Sequence, residues 1–221
     1  MKKVIINADD FGMSNIFNEV ILELLEEDFI KSTSVLVLRN RGVDSQSVQF
    51  EKLKILFRQK DISVGLHFEL NEEEKDYKKI SENIEYQKDV FVKCLGFSPT
   101  HIDKHKKVYS QEEAEAMISF AVKNNIYIRS CFDDFKDTLQ DKIMTSMHVV
   151  TLIEEEIEGL ESVLANKLSD NEALEIVAHP GKFDAACGSS LNKEREKDRE
   201  KILSLSSFLQ ENNISYDKSK K

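Results

Sequence analysis

Proline and cysteine are scarce in this chain of 221 residues, and no apolar run is long. Two prolines, with no Ser- or Gly-rich tract and no internal repeat, give no support for a linker or a second domain. The three cysteines, Cys94, Cys131 and Cys187, are odd in number and widely spaced. That excludes a disulfide framework and a Cys-x-x-Cys site, and points to a reducing, cytoplasmic compartment. No stretch approaches the roughly 18 to 20 apolar residues of a membrane-spanning helix. After Lys2 and Lys3 the run Val4-Ile5-Ile6 stops at Asn7, so a signal peptide is not expected either. Positive charge is the minority, 31 Lys and Arg against 41 Asp and Glu. A net charge of −10 repels a phosphate backbone, which makes nucleic acid an unexpected partner.

What is present suits one globular domain over residues 1–221, with 40% hydrophobic residues and enough length to bury a core. The spacing predicts a buried strand over Lys3 to Ala8, a loop at Asp9-Asp10-Phe11-Gly12, and a helix capped by Ser14. Phe17, Val20, Ile21, Leu24 and Leu25 would form that helix's core-facing stripe. Strands are predicted at Ser34 to Leu38, Ile62 to Phe68, Thr100 to Asp103, Ile126 to Ser130 and Leu174 to Ala178. Helices are predicted over about Ser45 to Gln59, Gln111 to Asn124, Met147 to Lys167 and Asn192 to Asn212, with a frayed tail at Lys218 to Lys221. The charged stretch 72–95 reads as a helical insertion. Strands each followed by a helix imply a parallel sheet covered by helices, either doubly wound or an incomplete barrel.

In such folds the site forms at the carboxyl ends of the strands. There the sequence places Asp9-Asp10, Gly65-Leu-His67, His101-Ile-Asp103-Lys-His105 and His179-Pro180-Gly181, which hold four of the five histidines. Gly12, Gly65, Gly96, Gly181 and both prolines flank the same segments, where tight turns bring backbone close to a site. One carboxylate with two neutral imidazoles on separate strand ends can hold a divalent metal and leave positions open for water and substrate.

Plainer readings stand beside this one. Paired aspartates can end a strand and cap the next helix, and His67 can be a satisfied core histidine. His101, Asp103 and His105 share one face only if the segment stays extended. His148 reads as structural, and the charge-dense runs Glu154 to Glu158 and Lys193 to Glu200 as solvated helix faces. A receiver domain would need a phosphoacceptor aspartate at the end of a central strand, where this chain has His67. A two-metal phosphoesterase would carry further ligands.

In order, Asn7-Ala-Asp-Asp-Phe-Gly12, Gly65-Leu-His-Phe68, Thr100-His-Ile-Asp-Lys-His105 and Glu175-Ile-Val-Ala-His-Pro-Gly181 resemble the YdjC-like carbohydrate deacetylases, which include chitin-oligosaccharide deacetylases. The resemblance implies an irregular TIM-like (β/α) barrel of about six to seven parallel strands. It also implies removal of the N-acetyl group from a small acetylated sugar. It implies one divalent metal ion, zinc or magnesium first and manganese or iron as alternatives, held by Asp10, His67 and His105. Asp9 would be the general base and His179 the general acid, Arg129 would orient a site carboxylate, and a homodimer would be the assembly. Such a metal polarises the amide carbonyl and lowers the pKa of its water from 15.7 toward about 7 to 9. Where the family continues with further histidines, this chain has Lys106-Lys-Val-Tyr109, which places Lys107 and Tyr109 at the substrate rim. The alternative is a relative that binds metal and sugar but turns over weakly or not at all because of that rim.

Overall fold

The computed structural model of the chain describes residues 3–39, 44–130, 148–166, 173–212 and 214–217. Strands and helices alternate as β1 (Lys3–Phe11), α1 (Asn15–Glu26), β2 (Ser32–Val35), α2 (Asp44–Gln59), β3 (Ser63–Phe68), α3 (Tyr77–Leu95), β4 (His101–Lys104), α4 (Gln111–Asn124) and β5 (Tyr127–Ile128). Then follow β6 (His148–Thr151), α5 (Ile157–Asn166), β7 (Ala173–Ala178), α6 (Arg195–Glu211) and β8 (Ser215–Asp217). Every strand pair is parallel, in the order β5-β4-β3-β2-β1-β7-β6. β8 runs beside the first half of β1, at Lys3 to Ile5, and β2 beside its second half. The result is a curled, incomplete barrel, one of the two architectures that the strand–helix order allows and the one that the family resemblance implies. Cys131 and the tail Lys218 to Lys221 lie outside the described residues.

Period-two alternation gives this sheet two different faces. Val4, Ile6 and Ala8 of β1, Val64, Leu66 and Phe68 of β3, Ile102, Ile128, and Leu174, Ile176 and Ala178 of β7 join the apolar core. The helices complete that core, α1 with Val20, Ile21, Leu24 and Leu25 from its expected stripe. Ser14 caps α1 by accepting from Ile16 N at 3.1 Å. Most of the intervening strand residues are polar, Asn7, Asp9, Ser32, Ser34, His67, His101, Asp103 and Glu175 among them, and they meet inside the curl. Asn7 Nδ2 donates to Asp9 Oδ1 (2.6 Å) and Ser34 Oγ (2.8 Å), and Ser32 Oγ donates to Asn7 Oδ1 (2.5 Å). Ser34 Oγ in turn donates to Asp103 Oδ2 (2.5 Å). Each group is buried, and each is stable there because it is hydrogen-bonded.

Several boundaries differ from the sequence expectation, for identifiable reasons. β2 runs from Ser32 to Val35, two residues before the expected start at Ser34 and short of the expected end at Leu38, because Ser32, Thr33 and Ser34 carry the ladder with their hydroxyls hydrogen-bonded. The region from Met147, expected to be helical, opens with β6, whose residues His148 to Thr151 pair in register with Leu174 to Val177. A 3₁₀ turn at Leu152–Glu154 separates it from α5. A four-residue strand is too short for periodicity to distinguish from helix. Stretch 72–95 carries α3, the crossover between β3 and β4, which buries Ile80, Ile84, Phe91 and Leu95 and ends at Gly96 with φ 76°.

Candidate metal centre

β1 does not stop at Ala8. It continues to Phe11 through an irregularity in its pairing with β2, between Ala8 and Phe11, and Asp10 within it adopts φ 71°. In a regular strand adjacent side chains point to opposite faces; the bulge and the left-handed backbone bring Asp9 and Asp10 both to the wall of one cavity. That cavity, of about 910 Å³, opens at the carboxyl ends of the strands and is also lined by His67, His105, Arg129 and His179.

Three atoms meet there. Asp10 Oδ1 lies 3.2 Å from His105 Nδ1 and 3.4 Å from His67 Nε2, and the two ring nitrogens are 3.3 Å apart. Ligands about 2.0–2.1 Å from a tetrahedral ion lie roughly 3.3–3.4 Å from one another, so the spacing is that of one face of a coordination shell. Asp10 Oδ1 is buried and has no hydrogen-bond partner among the described residues, a costly state for a carboxylate oxygen unless a cation takes it. The donor set therefore fits a divalent metal. Electrostatics agree. Burial pushes Asp10 up, but the His105 and His67 rings and the field of His179 together hold it well below the usual carboxylate range. Burial also presses His67 down, yet Asp9, Asp103 and Asp10 outweigh it and raise the imidazole to about 10. The centre demands positive charge.

His67 is aimed by its other nitrogen, Nδ1, which is 2.6 Å from Asp103 Oδ1, the carboxylate–histidine arrangement that orients metal-binding imidazoles. The sequence motif gives Asp103 no role of its own, and its place two residues before His105 is the signal that marks it. Burial works against its charge, but Arg129 and His67 keep it ionised, far below the ordinary range. Asp9, His67 and Asp103 also cluster, but the gap between the two carboxylates holds a guanidinium: Arg129 Nη2 is 2.7 Å from Asp9 Oδ1 and 2.9 Å from Asp103 Oδ2.

Arg129, just past β5, grips Asp9 with both terminal nitrogens at 2.7 Å, and its Nε donates to Glu175 Oε1 at 2.6 Å. Tyr127 completes the hub by donating to Glu175 Oε2 at 2.8 Å. Glu175 sits mid-strand in β7, where an apolar flank hid it from sequence reasoning. His179 follows β7 at the cavity wall; its backbone N–H donates to Asp198 Oδ2 at 2.8 Å, and its ring Nδ1 has no partner among the described residues. Lys107 lines the cavity. Tyr109 is not among its lining residues: it is 42% exposed and its hydroxyl donates to Glu72 Oε1 at 3.2 Å, which Lys106 also contacts at 3.0 Å. Within Lys193 to Glu200, Arg195 and Asp198 are buried, so that run is not simply a solvated face.

His101 stands apart from the metal face. It is buried between Ser34 Oγ and Thr100 Oγ1, each 3.1 Å from a ring nitrogen. It also packs so closely on Gly65 that a Cβ there would lie 2.2 Å from the ring. Burial lowers it from its usual 6.5 to about 4, outweighing Asp103. Between pH 4 and 6.5 the unfolded chain therefore binds more protons than the folded one. The contribution of His101 is full above 6.5 and is lost as pH falls toward 4, by on the order of 3 kcal/mol. The contribution of His67, raised rather than lowered, falls in a separate window above 6.5. Denaturant unfolding of the metal-free protein across pH 4 to 6.5 should show this slope, and His101→Gln should flatten it; an unchanged slope would assign it to another group.

The family model described as YdjC-like protein matches residues 3–78 and 72–210. A carbohydrate deacetylase of Clostridium beijerinckii is 28% identical, over 96% of this chain and 96% of its own length. A chitooligosaccharide deacetylase of Serratia marcescens is 26% identical, over 83% of each. Among solved structures, a protein of Enterococcus faecalis named for cellobiose-phosphate cleavage superposes with a TM-score of 0.81 at 20% identity, covering 99% of this chain and 97% of that one, and so shares its fold. With a family match that runs from β1 through β7 and takes in Asp9, Asp10, His67, His105, Arg129 and His179, the chain belongs to the YdjC-like protein family.

Proposed function

We propose that the chain is a metal-dependent hydrolase that removes the N-acetyl group from a small acetylated carbohydrate of the chitooligosaccharide kind. The observation that carries this is the orphaned, buried Asp10 Oδ1 between His67 Nε2 and His105 Nδ1, with Asp9 and His179 on the wall of the same cavity. The names of the relatives supply the substrate class. A divalent ion held by Asp10, His67 and His105 supplies Lewis acidity, polarising the amide carbonyl and acidifying water.

The chain's own residues supply the proton transfers. Asp9 Oδ1 already accepts from Asn7 and Arg129, whereas among the described residues Oδ2 accepts a hydrogen bond from Arg129 Nη1 alone and keeps a lone pair for the proton of the attacking water. Arg129 holds that carboxylate in one orientation. His179, protonated, gives its proton to the nitrogen as the C–N bond breaks, so that an amine leaves rather than an amide anion. Acetate and a free amino sugar are the products. Arg39, Lys106 and Lys107 at the mouth leave room for polar sugar hydroxyls to be bound.

The test is acetate release from N-acetylglucosamine dimers and trimers by the zinc- or manganese-loaded protein. Acetate and free amine in equal amounts are expected. Asp9→Asn and His179→Gln should each lower kcat by about 10²- to 10⁴-fold while metal content stays at the wild-type level. No release from any N-acetylated sugar by fully loaded protein would reject the assignment.

A further inference from the structure

Arg195 heads the largest fully buried side chains of the described residues, and the chemistry above makes no use of it. It is the first residue of α6, far in sequence from the strand ends, yet its Nη2 lies 2.5 Å from Asp10 Oδ2 and 3.1 Å from Ser189 Oγ. The guanidinium rests 3.9 Å over the Phe17 ring of α1, and Nη1 is 3.5 Å from His179 O. Its seat is closely fitted. A Cβ at Gly181 would come within 2.8 Å of Phe17 Cδ1 and 3.0 Å of Arg195 Cδ, and Gly181 N donates to Arg195 O at 3.3 Å. The turn after His179 packs against α6 in this way only because position 181 has no side chain.

Burying a guanidinium is costly unless its partner is equally in need of charge. Here the partner is the second oxygen of a metal-ligand carboxylate. A carboxylate can hold a cation by one oxygen or by both. The ion pair to Arg195 occupies Oδ2 and leaves Oδ1, the atom without a hydrogen bond, to face the two imidazoles. We propose that Arg195 is a positioning residue that restricts Asp10 to one-oxygen ligation, and so keeps a coordination position free that the carboxylate would otherwise fill. This rests on the assignment of Asp10, His67 and His105 as the metal ligands. By drawing off part of the carboxylate's charge, Arg195 also leaves a bound ion more electrophilic, at some cost in affinity.

Cobalt(II) reports coordination number directly, because its visible d–d absorption weakens as ligands are added. Wild type and Arg195→Met, each checked for folding by circular dichroism, are loaded with cobalt and compared by absorption per bound ion. The expected result is at least a twofold fall in Arg195→Met, together with tighter cobalt binding, and a spectrum close to wild type in Arg195→Lys, which restores a cation beside Oδ2. A purely structural role would weaken binding and leave the absorption per ion unchanged, which would overturn the assignment. Should Arg195→Met not fold, infrared difference spectra of wild type with and without zinc decide. A wide separation of the carboxylate stretches supports one-oxygen ligation, and a narrow one refutes it. Failure of the wild type to bind cobalt or zinc would reject the metal centre itself, whereas binding with an unchanged variant rejects only the role of Arg195.

Discussion

Arg129→Met is expected to lower the stability of the fold by about 3–5 kcal/mol, the scale for removing one partner from a buried ion network. One guanidinium there faces three buried carboxylates: Asp9 through two hydrogen bonds, Asp103 at 2.9 Å and Glu175 at 2.6 Å. Burial works against its charge, but Asp103, Asp9 and Glu175 hold its pKa well above the normal arginine value. Methionine fills much of the same volume and supplies no donor, so the carboxylates keep their desolvation cost without the compensating cation. For a chain of this length the loss corresponds to a fall in Tm on the order of 10 °C. Arg129→Lys retains the charge but cannot fork to three acids, and should lose less. The double variant Arg129→Met/Glu175→Gln should be less destabilised than the two single changes summed, because neutralising Glu175 removes part of the charge left uncompensated. Denaturant unfolding of the metal-free forms measures all four variants, Glu175→Gln included. A loss below 1 kcal/mol for Arg129→Met would mean that another group balances the acids.

The same network shows which parts of the molecule the sequence exposes. Strands and helices that carry apolar residues on one face were legible, and so were the polar strand ends that hold Asp10, His67 and His105; that these three would be the ligands came from the family resemblance, because the polar pattern alone also suits a helix cap and a core histidine. Asp9 and Asp10 were legible as residues but not as neighbours on one wall. That depends on a bulge and a positive φ, which no side-chain pattern announces. Polar residues at i and i+2, as in Asn7 and Asp9, Ser32 and Ser34, His101 and Asp103, or Tyr127 and Arg129, do mark the inner face of the curl. Such an alternation runs against the usual expectation of parallel strands buried on both faces by apolar side chains. Glu175 was hidden because its partners, Tyr127 and Arg129, come from the far edge of the sheet and meet it only when the sheet curls. Arg195 lies in a charge-rich segment, and only α6 docking on Phe17 and Gly181 turns it inward.

His67→Ala should remove both the metal and the activity, and the gradation among nearby substitutions separates a ligand from its supports. Without the imidazole, Asp10 Oδ1 and His105 Nδ1 are left as two donors, too few to retain zinc through exhaustive dialysis. Acetate release should fall to background, a larger loss than removal of either proton-transfer group. Asp103→Asn leaves the ligand in place and changes what aims it. The carboxylate 2.6 Å from His67 Nδ1 becomes a neutral amide, which weakens the ligand's basicity and loosens its ring, for a loss of about 10- to 100-fold in metal affinity. Lys107→Ala, at the mouth of the cavity, should leave one zinc per chain and raise KM without a matching fall in kcat. Elemental analysis and zinc competition titration give the metal series, and the acetate assay gives the kinetic one. If His67→Ala kept its zinc, the ion would sit elsewhere than at Asp10, His67 and His105. If Asp103→Asn lost as much affinity as His67→Ala, Asp103 would be a ligand rather than the group that orients one.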